Sequence, residues 1–172
     1  MAFLHKILRT SVYIVEDDRD FLRVLKQVLA RGVENHKIFS FNSADDLLDQ
    51  LKSQAVKKIQ RNIIIISVSA HARDTNSVFE TIEAIKQYLL NTHVILLYNP
   101  GELETEEMEL YQAELVVDDI ITKNNFARLR IQNSIRRILS RDDFQWRRKL
   151  LWVSAAIASF FLVTTALFYF IT

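Results

Sequence analysis

The chain has no cysteine, which rules out a disulfide framework and any thiolate metal site. It has only two glycines and one proline in 172 residues, too little turn chemistry for a loop-rich β fold. No glycine-rich turn follows the first apolar run, so the phosphate cradle of a dinucleotide-binding domain is missing. A hydrophobic content of 49% excludes a disordered chain. The four histidines, His5, His36, His71 and His93, are scattered without ligand spacing and read as surface or strand-end residues.

Charge is nearly balanced overall but unevenly placed. The formal net charge is +1. Residues 126–149 carry Arg128, Arg130, Arg136, Arg137, Arg141, Arg147, Arg148 and Lys149 against Asp142 and Asp143, a net of +6. Nothing charged follows, which leaves −5 on residues 1–125. Residues 150–172 contain no Asp, Glu, Lys, Arg, His, Asn or Gln. As a helix this stretch extends about 34 Å, enough for a bilayer core of about 30 Å. Trp146 and Trp152 lie near one end and Tyr169 near the other, as interfacial aromatics do. The stretch reads as one C-terminal transmembrane helix. The Arg147-Arg148-Lys149 cluster before it places the body in the cytoplasm by the positive-inside rule. The N-terminus lacks a long apolar core and a small-residue cleavage site, so a tail-anchored, single-pass membrane protein is expected.

The body is organised around Asn62-Ile63-Ile64-Ile65-Ile66-Ser67. Four isoleucines without alternation predict a strand covered on both faces. A helix is disfavoured because β-branched side chains lose rotamer freedom there. Further short strands are expected at 12–15, 37–41, 93–98 and 119–122, with helices at 20–31, 44–54, 77–89, 102–113 and 125–140. Ser43 and Ser77 open capping-box patterns, and Asn99-Pro100-Gly101 marks a turn. Strands alternating with helices predict an α/β domain with a parallel sheet and helices on both faces. The division expected is a globular domain at 1–140, a basic juxtamembrane linker at 141–149 and the transmembrane helix at 150–172.

In such sheets the chemistry gathers at the carboxyl ends of the strands. There the first strand delivers Glu16, Asp17 and Asp18, the third Ser67, the fourth Tyr98 and the fifth Lys123. Val-Glu-Asp-Asp after strand one, with Asp-Asp-Ile-Ile-Thr-Lys around strand five, resembles the receiver domain of bacterial two-component response regulators over roughly residues 10–140. The resemblance implies a flavodoxin-like, doubly wound five-stranded parallel sheet of order 2-1-3-4-5. It also implies phosphoryl transfer to an aspartate ending strand three. Glu16 and Asp17 match the family's acidic metal-binding pair and Lys123 its lysine. The departures are that the phospho-acceptor position falls on Ser67, the switch Ser/Thr on Tyr98, and the proline after the lysine on Asn124.

A hydroxyl in place of that aspartate removes an anionic ligand from magnesium and leaves a weak nucleophile with no evident base. Tyr98 is too bulky to report on a phosphoryl group. Ser67 therefore reads as an inert strand end, and Lys123 as a structural partner neutralising Asp17. Glu16, Asp17 and Asp18 have two open readings: caps for the first helix, or residual magnesium ligands. No cofactor is expected, magnesium included, and Glu16 and Asp17 are only weak candidates for a metal.

The function expected is a membrane-tethered, non-phosphorylatable pseudo-receiver, not an enzyme, acting through an unidentified protein partner. The interaction face implied by the family carries Glu102, Glu106 and Glu109 with Arg128, Arg130 and Arg137. One alternative is a receiver still phosphorylated at a non-standard residue such as Asp17 or Ser67. A remoter one is a haloacid dehalogenase-type phosphohydrolase, for which Glu16 stands where that family has Asp, and Asp118-Asp119 precede Lys123 in reversed order. The basic segment against a membrane span suits anionic headgroups better than nucleic acid. Small residues four apart, Ser154 with Ala158 and Ala155 with Ser159, permit a homodimer through the tail.

Overall fold

A computed structural model describes residues 10–32, 36–53, 61–69, 75–89, 91–101 and 117–171. Its elements in chain order are β1 (Thr10–Val15), α1 (Arg19–Gly32), β2 (His36–Phe41), α2 (Ala44–Ser53), β3 (Arg61–Ser67), α3 (Thr75–Tyr88), β4 (Thr92–Tyr98), β5 (Asp119–Thr122) and α4 (Ala127–Ile171). The strands form one five-stranded sheet of order β2-β1-β3-β4-β5, and every pairing is parallel. This is the flavodoxin-like order that the resemblance implied. The chain divides into two units, Met1–Ser134 and Ile135–Thr172.

The isoleucine run explains the centre of the sheet. β3 pairs with β1 on one side and β4 on the other, so both of its edges are used. Ile63, Ile64, Ile65 and Ile66 are fully buried. Burying each contributes about 2 kcal/mol. Side chains alternate across a strand, so Ile64 and Ile66 share a face with Tyr13, Val15, Val94 and Leu96. That face packs with Ala44, Leu47 and Leu51 of α2 and Val78, Ile82 and Ile85 of α3. The opposite face carries Val12, Ile14, Ile63, Ile65, Ile95, Leu97 and Ile121, all buried, as are Leu25, Val28 and Leu29 of α1. Tyr13 stacks on Phe39 of the edge strand β2, with ring centroids 5.2 Å apart.

Helix boundaries follow local chemistry. Asp18 is the N-cap of α1: its Oδ1 accepts from the amides of Asp20 at 2.9 Å and Phe21 at 3.1 Å. Asp18→Ala is expected to cost about 1 kcal/mol in a urea titration, as loss of an N-cap does. Ser43 Oγ accepts from the Asp46 amide at 3.2 Å, the expected cap of α2. The third helix starts at Thr75, two residues before the cap expected at Ser77, which instead falls in its first turn. In the Asn99-Pro100-Gly101 turn, Gly101 has φ +89°, a conformation that other residues adopt only under strain.

The C-terminal third is one long helix. Residues 141–149, read as a linker, are helical, because α4 runs unbroken from Ala127 to Ile171. No glycine or proline interrupts that sequence, and its arginines, lysine and leucines are good helix formers. Among the described residues, however, no helix is long and apolar enough to cross a membrane. The helix expected at 102–113 lies outside the described residues.

Candidate functional site

Four segments meet at the carboxyl end of the sheet. The Glu16 amide donates to the Phe41 carbonyl at 3.1 Å, which extends β1 by one residue and turns the Glu16 side chain inward. The Val68 amide donates to Leu97 at 2.8 Å, and the Lys123 amide to Tyr98 at 2.7 Å, so β3 and β5 are held alike. These bonds fix the backbone from which Glu16, Ser67, Ser69 and Lys123 project.

Lys123 is at the centre. Its Nζ donates to Glu16 Oε1 at 2.9 Å and to Ser69 Oγ at 3.2 Å. It also lies 5.3 Å from the centre of the Phe21 ring, within cation–π range. The ion pair is buried, with side-chain exposures of 8% for Lys123 and 0% for Glu16. Glu16 Oε1 also accepts from the Asp18 amide at 3.1 Å, whereas Oε2 is buried without a hydrogen-bond partner. Burial pushes the Glu16 carboxyl above its ordinary value, outweighing the hydrogen bonds from Lys123 and the Asp18 backbone. The nearby Asp17 carboxyl adds to the rise.

The hydroxyls complete the network. Ser69 Oγ donates to Asp17 Oδ1 at 3.0 Å. A serine hydroxyl has one proton, so the 2.9 Å contact between Ser67 and Ser69 is donated by Ser67. Ser69 Oγ then accepts from both Ser67 and Lys123, which uses its full capacity. Burial works against ionisation of Asp17, but the Ser69 bond and its other neighbours win and hold it below the usual carboxylate value. Tyr98 is half-buried, and its hydroxyl accepts from Thr122 Oγ1 at 2.6 Å.

Asp18 caps α1, while Glu16 and Asp17 do not. Lys123 bonds Glu16 directly, and acts on Asp17 through Ser69 and through its charge. The reason is burial: Glu16 points inward beside the ammonium, whereas Asp17 is on an exposed turn. Ser67 is fully buried and bonded to Ser69. Ser69 and Phe21 were missed. The Ser-Val-Ser alternation was the available signal for Ser69, since residues two apart at a strand end share a face. Arg128 and Arg130 are exposed on α4, as is Arg137 in the second unit. Glu102, Glu106 and Glu109 lie outside the described residues.

A magnesium ion, which the resemblance implies, does not fit these residues. Magnesium takes near-octahedral oxygen ligation and favours carboxylates. Here Oε1 of Glu16 is taken by an ammonium and an amide, and Oδ1 of Asp17 by a hydroxyl. The third strand end contributes a neutral serine. Among the described residues no three acidic or histidine side chains gather to hold a metal.

No family model and no curated protein matches the sequence. Solved structures do match by shape. The response regulator LqsR of Legionella pneumophila superposes with a TM-score of 0.58 at 16% identity, covering 81% of this chain. This chain spans about half of LqsR, 48% of its length. A response regulator from Thermotoga maritima gives 0.58 at 15% identity, covering 77% of this chain and 99% of its own. The chemotaxis response regulator CheY4 of Vibrio cholerae gives 0.55 at 14%, covering 76% and 98%. The sheet-bearing part of the chain has the fold of a response regulator receiver domain.

Proposed function

We propose that this chain is a membrane-tethered, non-phosphorylatable pseudo-receiver that signals through contact with a protein partner and has no catalytic activity of its own. One observation carries the reading. At the end of β3, the strand end where the fold would carry a nucleophilic carboxylate, stands Ser67, fully buried and bonded to Ser69. A serine hydroxyl needs a neighbouring base to attack phosphorus, and the group that Ser67 touches is another hydroxyl. The acid that a dehalogenase-type enzyme would need on β1 is Glu16, buried and paired with Lys123. The tether rests on the charge-free stretch 150–172 and the Arg147-Arg148-Lys149 cluster before it, which together favour a cytoplasmic body at a bacterial inner membrane. Exposed Arg128 and Arg130 are available to an acidic partner surface.

Incubation with acetyl phosphate and magnesium tests the central point. The intact mass of the chain is expected to stay unchanged. A labile phosphoryl adduct on Ser67, Asp17 or another body residue would establish the competing reading of a receiver phosphorylated at an unusual position.

A further inference from the structure

We infer that Lys123, steadied by Ser69, is the resident cation of the crevice and keeps divalent ions out of a latent site formed by Glu16 and Asp17. Three observations converge. The ammonium occupies the position where both acidic residues can be neutralised at once, bonding Glu16 directly and Asp17 through Ser69. It is 8% exposed against a side chain that is 0% exposed, so an incoming ion must expel a buried charge before it reaches Glu16. Glu16 Oε2 is buried and has no hydrogen-bond partner, an unspent donor atom beside the ammonium. Remove the ammonium, and two carboxylates with that free oxygen become ligands that a divalent ion with several retained waters can use.

The chemistry differs from simple loss of a site. A third carboxylate at position 67 would add the charge that a divalent ion requires in competition with an ammonium. With Ser67 in its place, the ammonium and the two serine hydroxyls balance Glu16 and Asp17 without it. Ser69 is a positioning residue in this scheme: its one proton orients Asp17, and its lone pairs hold Lys123 and Ser67.

Manganese binding to the full-length chain in detergent, followed by the electron paramagnetic resonance of free Mn²⁺ with magnesium as competitor, tests this. The wild type is expected to show no saturable site at millimolar metal. Lys123→Met is expected to show a saturable site at least about tenfold tighter than the millimolar limit set by the wild type, a difference of about 1.4 kcal/mol. Adding Glu16→Gln should abolish the gain. Saturable millimolar binding by the wild type overturns the inference, as does a folded Lys123→Met chain that gains nothing. Should Lys123→Met fail to fold, Ser69→Ala decides, because it changes an exposed residue while freeing Asp17 and loosening the ammonium. It should show saturable binding about threefold tighter than the wild-type limit, and no saturable binding overturns the inference. Metal binding by the wild type without a phosphoryl adduct defeats this inference alone, whereas an adduct defeats the proposed function alone.

Discussion

Lys123→Met is expected to destabilise the sheet-bearing unit by about 3 kcal/mol near neutral pH, because breaking a buried ion pair strands the remaining charge. Glu16 is fully enclosed and keeps only the Asp18 amide once the ammonium is gone. The loss should depend on pH in a defined direction. Burial already raises the Glu16 pKa in the wild type, and Lys123 is the main group opposing that rise. Without Lys123 the folded-state value moves further above the unfolded carboxyl value of about 4.3. Below the unfolded value Glu16 is neutral in both states and the variant loses little. As pH rises through the raised folded value, the folded chain must bury a charge and the deficit grows. Urea midpoints measured at about pH 4 and about pH 7 give the comparison. Glu16→Gln combined with Lys123→Met should recover most of the stability, since the amide still accepts from Asp18. A deficit that does not vary with pH, or that persists in the double variant, would mean that Lys123 acts through packing on Phe21.

Asp17 works in the opposite sense. Its pKa is held below the ordinary value, so the stability it contributes is present above the unfolded carboxyl value and fades as pH falls through the folded one. The two neighbours thus respond to acid differently although both belong to one acidic run. A charge pattern alone cannot make that distinction. It follows from Glu16 pointing inward and Asp17 outward at the end of β1.

The same contrast explains what was legible beforehand. The strands were visible because their apolar runs are continuous where both faces are covered, as at Ile63 to Ile66. The order of the sheet came from the resemblance carried by Glu16, Asp17 and Lys123, and the structure has that order. The partner of Lys123 was not legible. Two carboxylates adjacent in sequence offer it equal charge, and only the burial of one decides between them. Ser69 was hidden for a related reason: a hydroxyl has no periodicity, and its role depends on Asp17, 52 residues away. The continuity of α4 was left open by the sequence: nothing between Ser140 and Leu150 breaks a helix, while the composition changes there from charged to apolar. Backbone continuity depends on helix breakers, and a shift in composition does not report it.

Fractionation should give the other large effect: the full-length chain stays with the membrane pellet through high salt and alkaline carbonate, whereas a chain ending at Ser140 is released. The stretch 150–172 holds twelve Leu, Ile, Val and Phe residues. At roughly −0.3 to −0.6 kcal/mol each for insertion, they supply on the order of −5 kcal/mol. The basic cluster alone would bind anionic headgroups at about 1 kcal/mol per residue, an attraction that salt removes. Resistance to salt therefore separates a span from surface adsorption. A full-length variant carries the same test without truncation. Ile157→Asp places a carboxylate near the middle of the stretch, at a cost of about 2.5–3.5 kcal/mol, and should shift a substantial fraction of the chain out of the carbonate-resistant pellet. If salt alone releases the wild type, the stretch is not a span, and a tether would then have to come from the arginines and Lys149 that precede it.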